Sequence, residues 1–191
     1  MKKLAFFYML RRIKELMISI KKFFLFFLIL ITGSFVFGKA SDILGYWQIV
    51  DQHDGHPLSI VLIYEYDSHY YGRMVALYDE KTNLISETLE NPKELAKGFE
   101  KKTTLIGLDF IWCMKPSEEK SEGKVINPDS GSVYTCESWV DKESGKLVFE
   151  GELLFFYSKE YWLKIDEDKV PEKSRLDVKK ITPIDPTTFL H

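Results

Sequence analysis

Cysteine, histidine and proline are all scarce in this chain. Its 191 residues hold two cysteines, four histidines and seven prolines. Two cysteines exclude a disulfide-dense scaffold and the paired-cysteine motifs of zinc ribbons and redox proteins. Arginine almost disappears after residue 40, where only Arg73 and Arg175 remain. No Walker loop, dinucleotide fingerprint, nucleophile elbow or zinc-protease helix is present. No enzyme is therefore nominated, and no cofactor is expected. The first forty residues carry eight of the 26 basic groups and one of the 29 acids. The other 151 residues are left with 18 basic and 28 acidic groups, a charge of −10. Nucleic acids and anionic lipid surfaces need clustered cations, so neither is an expected partner of this body.

The basic start has its own pattern. Lys21-Lys22 precedes an apolar run from Phe23 to Ile31, and Gly38-Lys39-Ala40 follows as a small-x-small site. The run is shorter than the roughly 20 residues of a membrane span. Residues 1–40 are expected to be a signal peptide, cleaved before Ser41 or after Gly38, with Met17 as an alternative start of ordinary leader length. The protein is then periplasmic or secreted and keeps no stable membrane insertion. In an oxidising compartment an even cysteine count favours a Cys113–Cys136 disulfide.

Past the leader the pattern has period two. Tyr46–Val50, Leu58–Tyr66 and His69–Tyr78 alternate as strands, joined at Asp54-Gly55 and Asp67-Ser68. Further strands are expected at Leu105–Cys113, Val133–Val140, Lys146–Tyr157 and Tyr161–Ile165, with an edge strand at Leu176–Ile181. Lys115–Gly123 reads as a charged loop and the tail from Pro183 as loose. Asn91-Pro92 and Gly98 mark the ends of one short helix within a pattern break at residues 79–103. Seven or eight hairpin-linked strands hide their edges by closing up. The expected fold is all-β, an up-and-down antiparallel β-barrel of about eight strands over residues 41–166, with residues 167–191 as an extension. A barrel of that size is either filled by side chains or holds one small ligand, and spacing does not separate the two.

Particular residues sharpen this. Gly45-Tyr46-Trp47 opens the first strand as in lipocalin-like barrels. Tyr71-Gly72-Arg73, Asn91-Pro92, Leu105–Leu108, Gly123–Pro128, Tyr134-Thr135-Cys136 and Leu147–Gly151 follow in order. This series resembles the secreted bacterial family catalogued as domain of unknown function 2147, over residues 43–165. The chain departs from it at Asn127-Pro128 and in its closing strand, where Trp162-Leu163-Lys164 replaces a Trp-x-Arg pattern. The resemblance implies a lipocalin-like (calycin) barrel outside the cytoplasm and carries no established activity.

Candidate site residues come from the aromatics, 19 of which lie after residue 40. Tyr64, Trp112, Tyr134, Trp139, Phe155 and Trp162 sit on separate strands and could line a pocket. Trp47 would plug the barrel, and Tyr71 or Arg73 would be the polar handle. A buried guanidinium needs an acceptor: Glu65, a ligand carboxylate, or, failing both, packing on Trp47. His53-Asp54-Gly55-His56 sits at a hairpin tip without an evident third ligand, so no metal is expected. The leading expectation is a non-catalytic barrel binding a small hydrophobic molecule such as a fatty acid or other lipid. The rival is an envelope interaction module with a packed core, acting through its acidic surface and the 79–103 insert.

Overall fold

In the computed structural model, residues 39–99, 102–153 and 156–190 are described. Nine strands follow one another: β1 (Gly45–Val50), β2 (Pro57–Tyr66), β3 (His69–Tyr78), β4 (Ile85–Thr88), β5 (Asp109–Pro116), β6 (Ser121–Ile126), β7 (Val133–Val140), β8 (Leu147–Leu153) and β9 (Phe156–Lys164). The sheet order is β2-β1-β9-β8-β7-β6-β5-β3-β4, and a β2–β3 pairing shuts it. Eight antiparallel strands thus form a closed barrel. β4 is a short addition on the upper half of β3, whose lower half pairs with β5. Closure leaves the eight ring strands without an open edge. The expected leader, up to residue 38, lies outside the described residues, as does Phe155. Among the described residues no helix is long and apolar enough to cross a membrane.

Local chemistry sets the turns. The β2–β3 turn places Asp67 and Ser68 at φ 48° and 59°, the doubly left-handed geometry of a two-residue hairpin. At the β1–β2 tip the Asp51 carboxylate accepts the His53 and Asp54 amides, and Gly55 supplies φ 76°.

Two apolar clusters lie on opposite sides of the barrel wall. The inner one gathers Trp47, Val61, Ile63, Tyr70, Met74, Ile111, Leu147, Phe149 and Trp162. The outer one gathers Tyr46, Ile60, Leu62, Tyr64, Val75 and Ala76 under Val170 and Ile181 from the C-terminal extension. β2 is therefore buried on both faces, which its unbroken run Ile60-Val61-Leu62-Ile63-Tyr64 requires. Full burial of such side chains stabilises by roughly 1.5–3 kcal/mol each.

The ends of the barrel are closed differently. Below, the 3-10 turn Ala40–Ile43 tucks Ile43 in completely, and its carbonyl accepts the Trp47 indole N–H at 2.6 Å. Lys164 Nζ lies 4.3 Å from the Trp47 ring centre and donates to the Leu44 carbonyl at 2.6 Å. A side chain at Gly45 would strike that ammonium at 2.9 Å, and Gly45 has φ 109°, so glycine belongs two residues before this tryptophan. Above, the loop between β4 and β5 crosses to the β6–β7 turn, where Gly98 donates to the Pro128 carbonyl at 2.9 Å. Ala96, Phe99, Ile106 and Leu108 of this loop join the inner cluster.

Several sequence expectations need correction. The segment Asn91–Gly98 is not a helix. The Glu87 carboxylate takes the Lys93 and Glu94 amides at 2.6 and 3.0 Å, and Leu95 bridges to Thr104, so tertiary contacts override the capping signals. Lys115–Gly123 is not all loop, because its second half starts β6. Leu105–Leu108 is loop, and the following strand starts at Asp109. The expected Lys146–Tyr157 strand is two, β8 and the start of β9. Leu176–Ile181 adds no strand but packs as irregular chain, and Ile181 is 7% exposed. The tail beyond Pro183 is tied down too, since the Ile184 amide donates to Asp109 at 2.9 Å.

Candidate ligand-binding site

The sequence candidates divide between the two faces of the wall. Trp47 and Trp162 point inward at the lower end. Phe149 stacks on Trp162 with ring centres 5.0 Å apart and planes 7° apart, and Phe110 lies 6.4 Å away. Trp112 is buried in the same cluster. Tyr134, opposite Val125, shares the inner face of β7 with Cys136 and Ser138, and both it and Val125 are half-buried. These four of the eight expected lining residues belong to the inner cluster or the inner wall.

The other four lie elsewhere. Tyr64, Tyr71 and Arg73 sit on the outer face of β2 and β3. Arg73 is bound by Asp109, through Nε at 2.9 Å and Nη2 at 2.6 Å. Asp109 also accepts the Tyr64 hydroxyl at 3.0 Å, and Arg73 donates to the Thr182 carbonyl at 3.1 Å. The Asp109 side chain is 0% exposed and that of Arg73 13%. Burial raises the Tyr64 pKa, and the neighbouring Asp109 charge raises it further. Neither Glu65 nor Trp47 partners Arg73. The acceptor is an aspartate that opens β5, and the cluster clamps the C-terminal extension to the barrel. Arg175 serves the same extension by donating to the Val170 and Asp168 carbonyls, each at 2.8 Å. Trp139 is on the outside of β7 between two ammonium groups, Lys120 at 4.4 Å and Lys159 at 5.0 Å.

The expected disulfide is absent: Cys113 and Cys136 are free thiols. Cys113 is on β5 and Cys136 on β7, with β6 between them and Gly123 paired to Cys136. Two strand spacings are about 9.6 Å, beyond the ~7 Å reach of a disulfide. Cys113 is exposed on a bulge with φ 53°. Burial pushes the Cys136 thiol up to about 12.

The inner wall across β6, β7 and β8 carries small side chains, in the paired row Gly123–Cys136–Gly151. Their surroundings differ. A Cβ on Gly123 would lie 2.6 Å from Met114 Cα, so the β5 bulge already fills that space. Among the described residues, a Cβ on Gly151 would meet no atom within 4 Å. Among the described residues, space on this wall is therefore left at Gly151, above the Phe149–Trp162 stack. Opposite Phe149 on β9 stands Glu160, which shares the inner face with Trp162 and accepts its indole N–H at 2.9 Å. Sequence reasoning passed over Glu160. Its signal was a carboxylate two residues before a tryptophan on a period-two strand.

Clefts also open outside the barrel. One of 880 Å³ runs between Leu62–Glu65 and Arg175–Val178, under the C-terminal extension. Another of 810 Å³ lies over β5–β7, lined by Cys113, Lys124, Thr135 and Glu137 among others. At the β1–β2 tip, Asp51 stands with Asp54 and His56 of the motif, while His53 is not in that group. Ligand atoms of Asp51, Asp54 and His56 lie within 4.8 Å of one another. Asp54 holds the His56 pKa above its usual value by hydrogen bonding.

Comparison with known proteins agrees with this geometry. Among curated proteins, none matches this chain. A solved structure, described as "Protein HP1028 from the human pathogen Helicobacter pylori belongs to the lipocalin family", superposes with a TM-score of 0.51 at 14% identity. The match covers 67% of this chain and 86% of that one, and at this identity it shows a shared fold. The family model described as "Uncharacterized protein conserved in bacteria (DUF2147)" matches residues 45–164, from the glycine beneath Lys164 to Lys164 itself. The chain, a lipocalin-like barrel closed from β1 to β9, belongs to the DUF2147 family.

Proposed function

We propose that this protein is an exported, non-catalytic barrel that takes a small hydrophobic molecule, such as a lipid, into its interior. Residues 1–40 are the leader of that export. The observation that carries the reading is the space that the described residues leave before Gly151, in the small-residue row Gly123–Cys136–Gly151 of the inner wall. Stacked Phe149 and Trp162 give that space an aromatic floor, and the loop carrying Ala96 and Phe99 stands over the upper end as its cover.

Binding of the fluorescent apolar probe N-phenyl-1-naphthylamine tests this. The Gly151→Leu variant fills the space without touching the floor. The wild type is expected to bind at micromolar concentration, and Gly151→Leu to weaken binding at least tenfold with its melting temperature held. Equal binding by both proteins, or none by the wild type, overturns the reading. The inner cluster is continuous from Trp47 to Phe99, and that favours the rival, a packed interaction module; absence of any bound probe would favour it.

A further inference from the structure

The interior contains a polar group that a purely apolar guest leaves unused. Glu160 stands on the inner face of β9, cross-strand from Phe149 and diagonal to Gly151. One carboxylate oxygen accepts the Trp162 indole N–H at 2.9 Å. Its other oxygen takes no hydrogen bond among the described residues. The side chain is only half-buried, which is consistent with the open space before Gly151. A second polar group on the inner wall is also unused: Ser121 Oγ is completely buried and has no partner among the described residues.

Buried polar groups are normally satisfied, so the Ser121 hydroxyl calls for an explanation. An ionised carboxylate only accepts hydrogen bonds. What Glu160 can take is therefore a donor, and a cationic donor best of all, because charge-assisted bonds are the strong ones. A guest ending in a carboxylate would bring like charge against it.

Resting on the interior-guest reading, we propose that Glu160 is the polar pole of the site and selects an apolar molecule ending in a hydrogen-bond donor. The order of preference is an amine, then an alcohol, and last a fatty acid. The hydrocarbon lies against Phe149 and Trp162 in the space before Gly151, and the headgroup meets the free carboxylate oxygen. Trp162 positions that carboxylate through its indole N–H. This narrows the expectation of a fatty acid or other lipid, drawn from strand count, aromatic content and the missing catalytic motifs, to lipids that end in a donor.

The test uses three amphiphiles of one chain length, decylamine, decanol and decanoic acid, below their micelle concentrations at pH 7. Each is titrated against bound N-phenyl-1-naphthylamine on the wild type and on Glu160→Gln, with the melting temperature of both recorded. Glutamine keeps the size and one acceptor but loses the charge. The amine is expected to displace the probe at least tenfold more effectively than the acid on the wild type. On Glu160→Gln that ratio is expected to collapse at least tenfold. If the acid competes as well as the amine, or if the ratio survives the substitution, the inference about Glu160 is overturned while the interior guest stands. If the wild type binds neither probe nor amphiphile, both fail together.

Discussion

Replacing Asp109 with alanine is expected to release the C-terminal extension and weaken the whole domain. Asp109 collects four donors in a space its side chain does not share with water: Arg73 Nε and Nη2, the Tyr64 hydroxyl and the Ile184 amide, at 2.6–3.0 Å. Alanine leaves a largely buried guanidinium, a phenol and a backbone N–H without their acceptor. Removing one partner of a buried ion pair costs about 3–5 kcal/mol, mostly through the charge left behind. At about 2–4 °C per kcal/mol for a domain of this size, the melting temperature should fall by roughly 6–20 °C. Urea unfolding of wild type and Asp109→Ala measures the free energy, and hydrogen exchange at the Ile184 amide reports the extension. Arg73→Leu/Asp109→Leu removes both charges together, so its cost should be well below the sum of the single variants. A loss under about 1 kcal/mol for Asp109→Ala, or an Ile184 amide as protected as before, would refute the clamp.

Two further outcomes follow from the same structure. In the folded protein a thiol reagent should label Cys113 quickly and Cys136 only after denaturation, because Cys113 is exposed while burial raises the Cys136 pKa to about 12. Oxidised protein with no free thiol would contradict the strand register. His56 should titrate above the ordinary histidine value of about 6.5, and Asp54→Asn should bring it back down. A pKa raised by folding means that the added stability is complete below that ordinary value and is lost as pH climbs through the raised one. Proton NMR of the imidazole follows this directly, and a His56 pKa unchanged by Asp54→Asn would rule out the pairing.

What was legible in the sequence was the part carried by local pattern. Period two exposed β1, β2, β3 and β7, and Gly45-Tyr46-Trp47 announced the barrel's lower plug. The β8–β9 junction stayed hidden because residues 153–156, Leu-Leu-Phe-Phe, contain no turn-forming residue. β6 was masked by its charged outward residues Glu122 and Lys124, which alternate with Ser121 and Gly123 rather than with large apolar side chains. The site was less visible than the fold. Alternation says that Arg73 and Tyr71 share a face, but not which face is inside. The unbroken apolar run of β2 was the available clue that something covers the barrel's exterior, but only the structure identifies the cover as the C-terminal extension. The partnership of Arg73 with Asp109 depends on the β3–β5 register, which skips β4 and its following loop.

The pairing of β1 with β9 makes the order of synthesis matter. Gln48 lies opposite Leu163, so the first staves of the cask wait for the last one before the hoop can be drawn tight. Until β9 has been made, the nascent polypeptide has no way to seal itself, and contacts so distant along the chain form slowly. A polymer that lingers unsealed keeps one edge of β1 unpaired until the closing strand arrives.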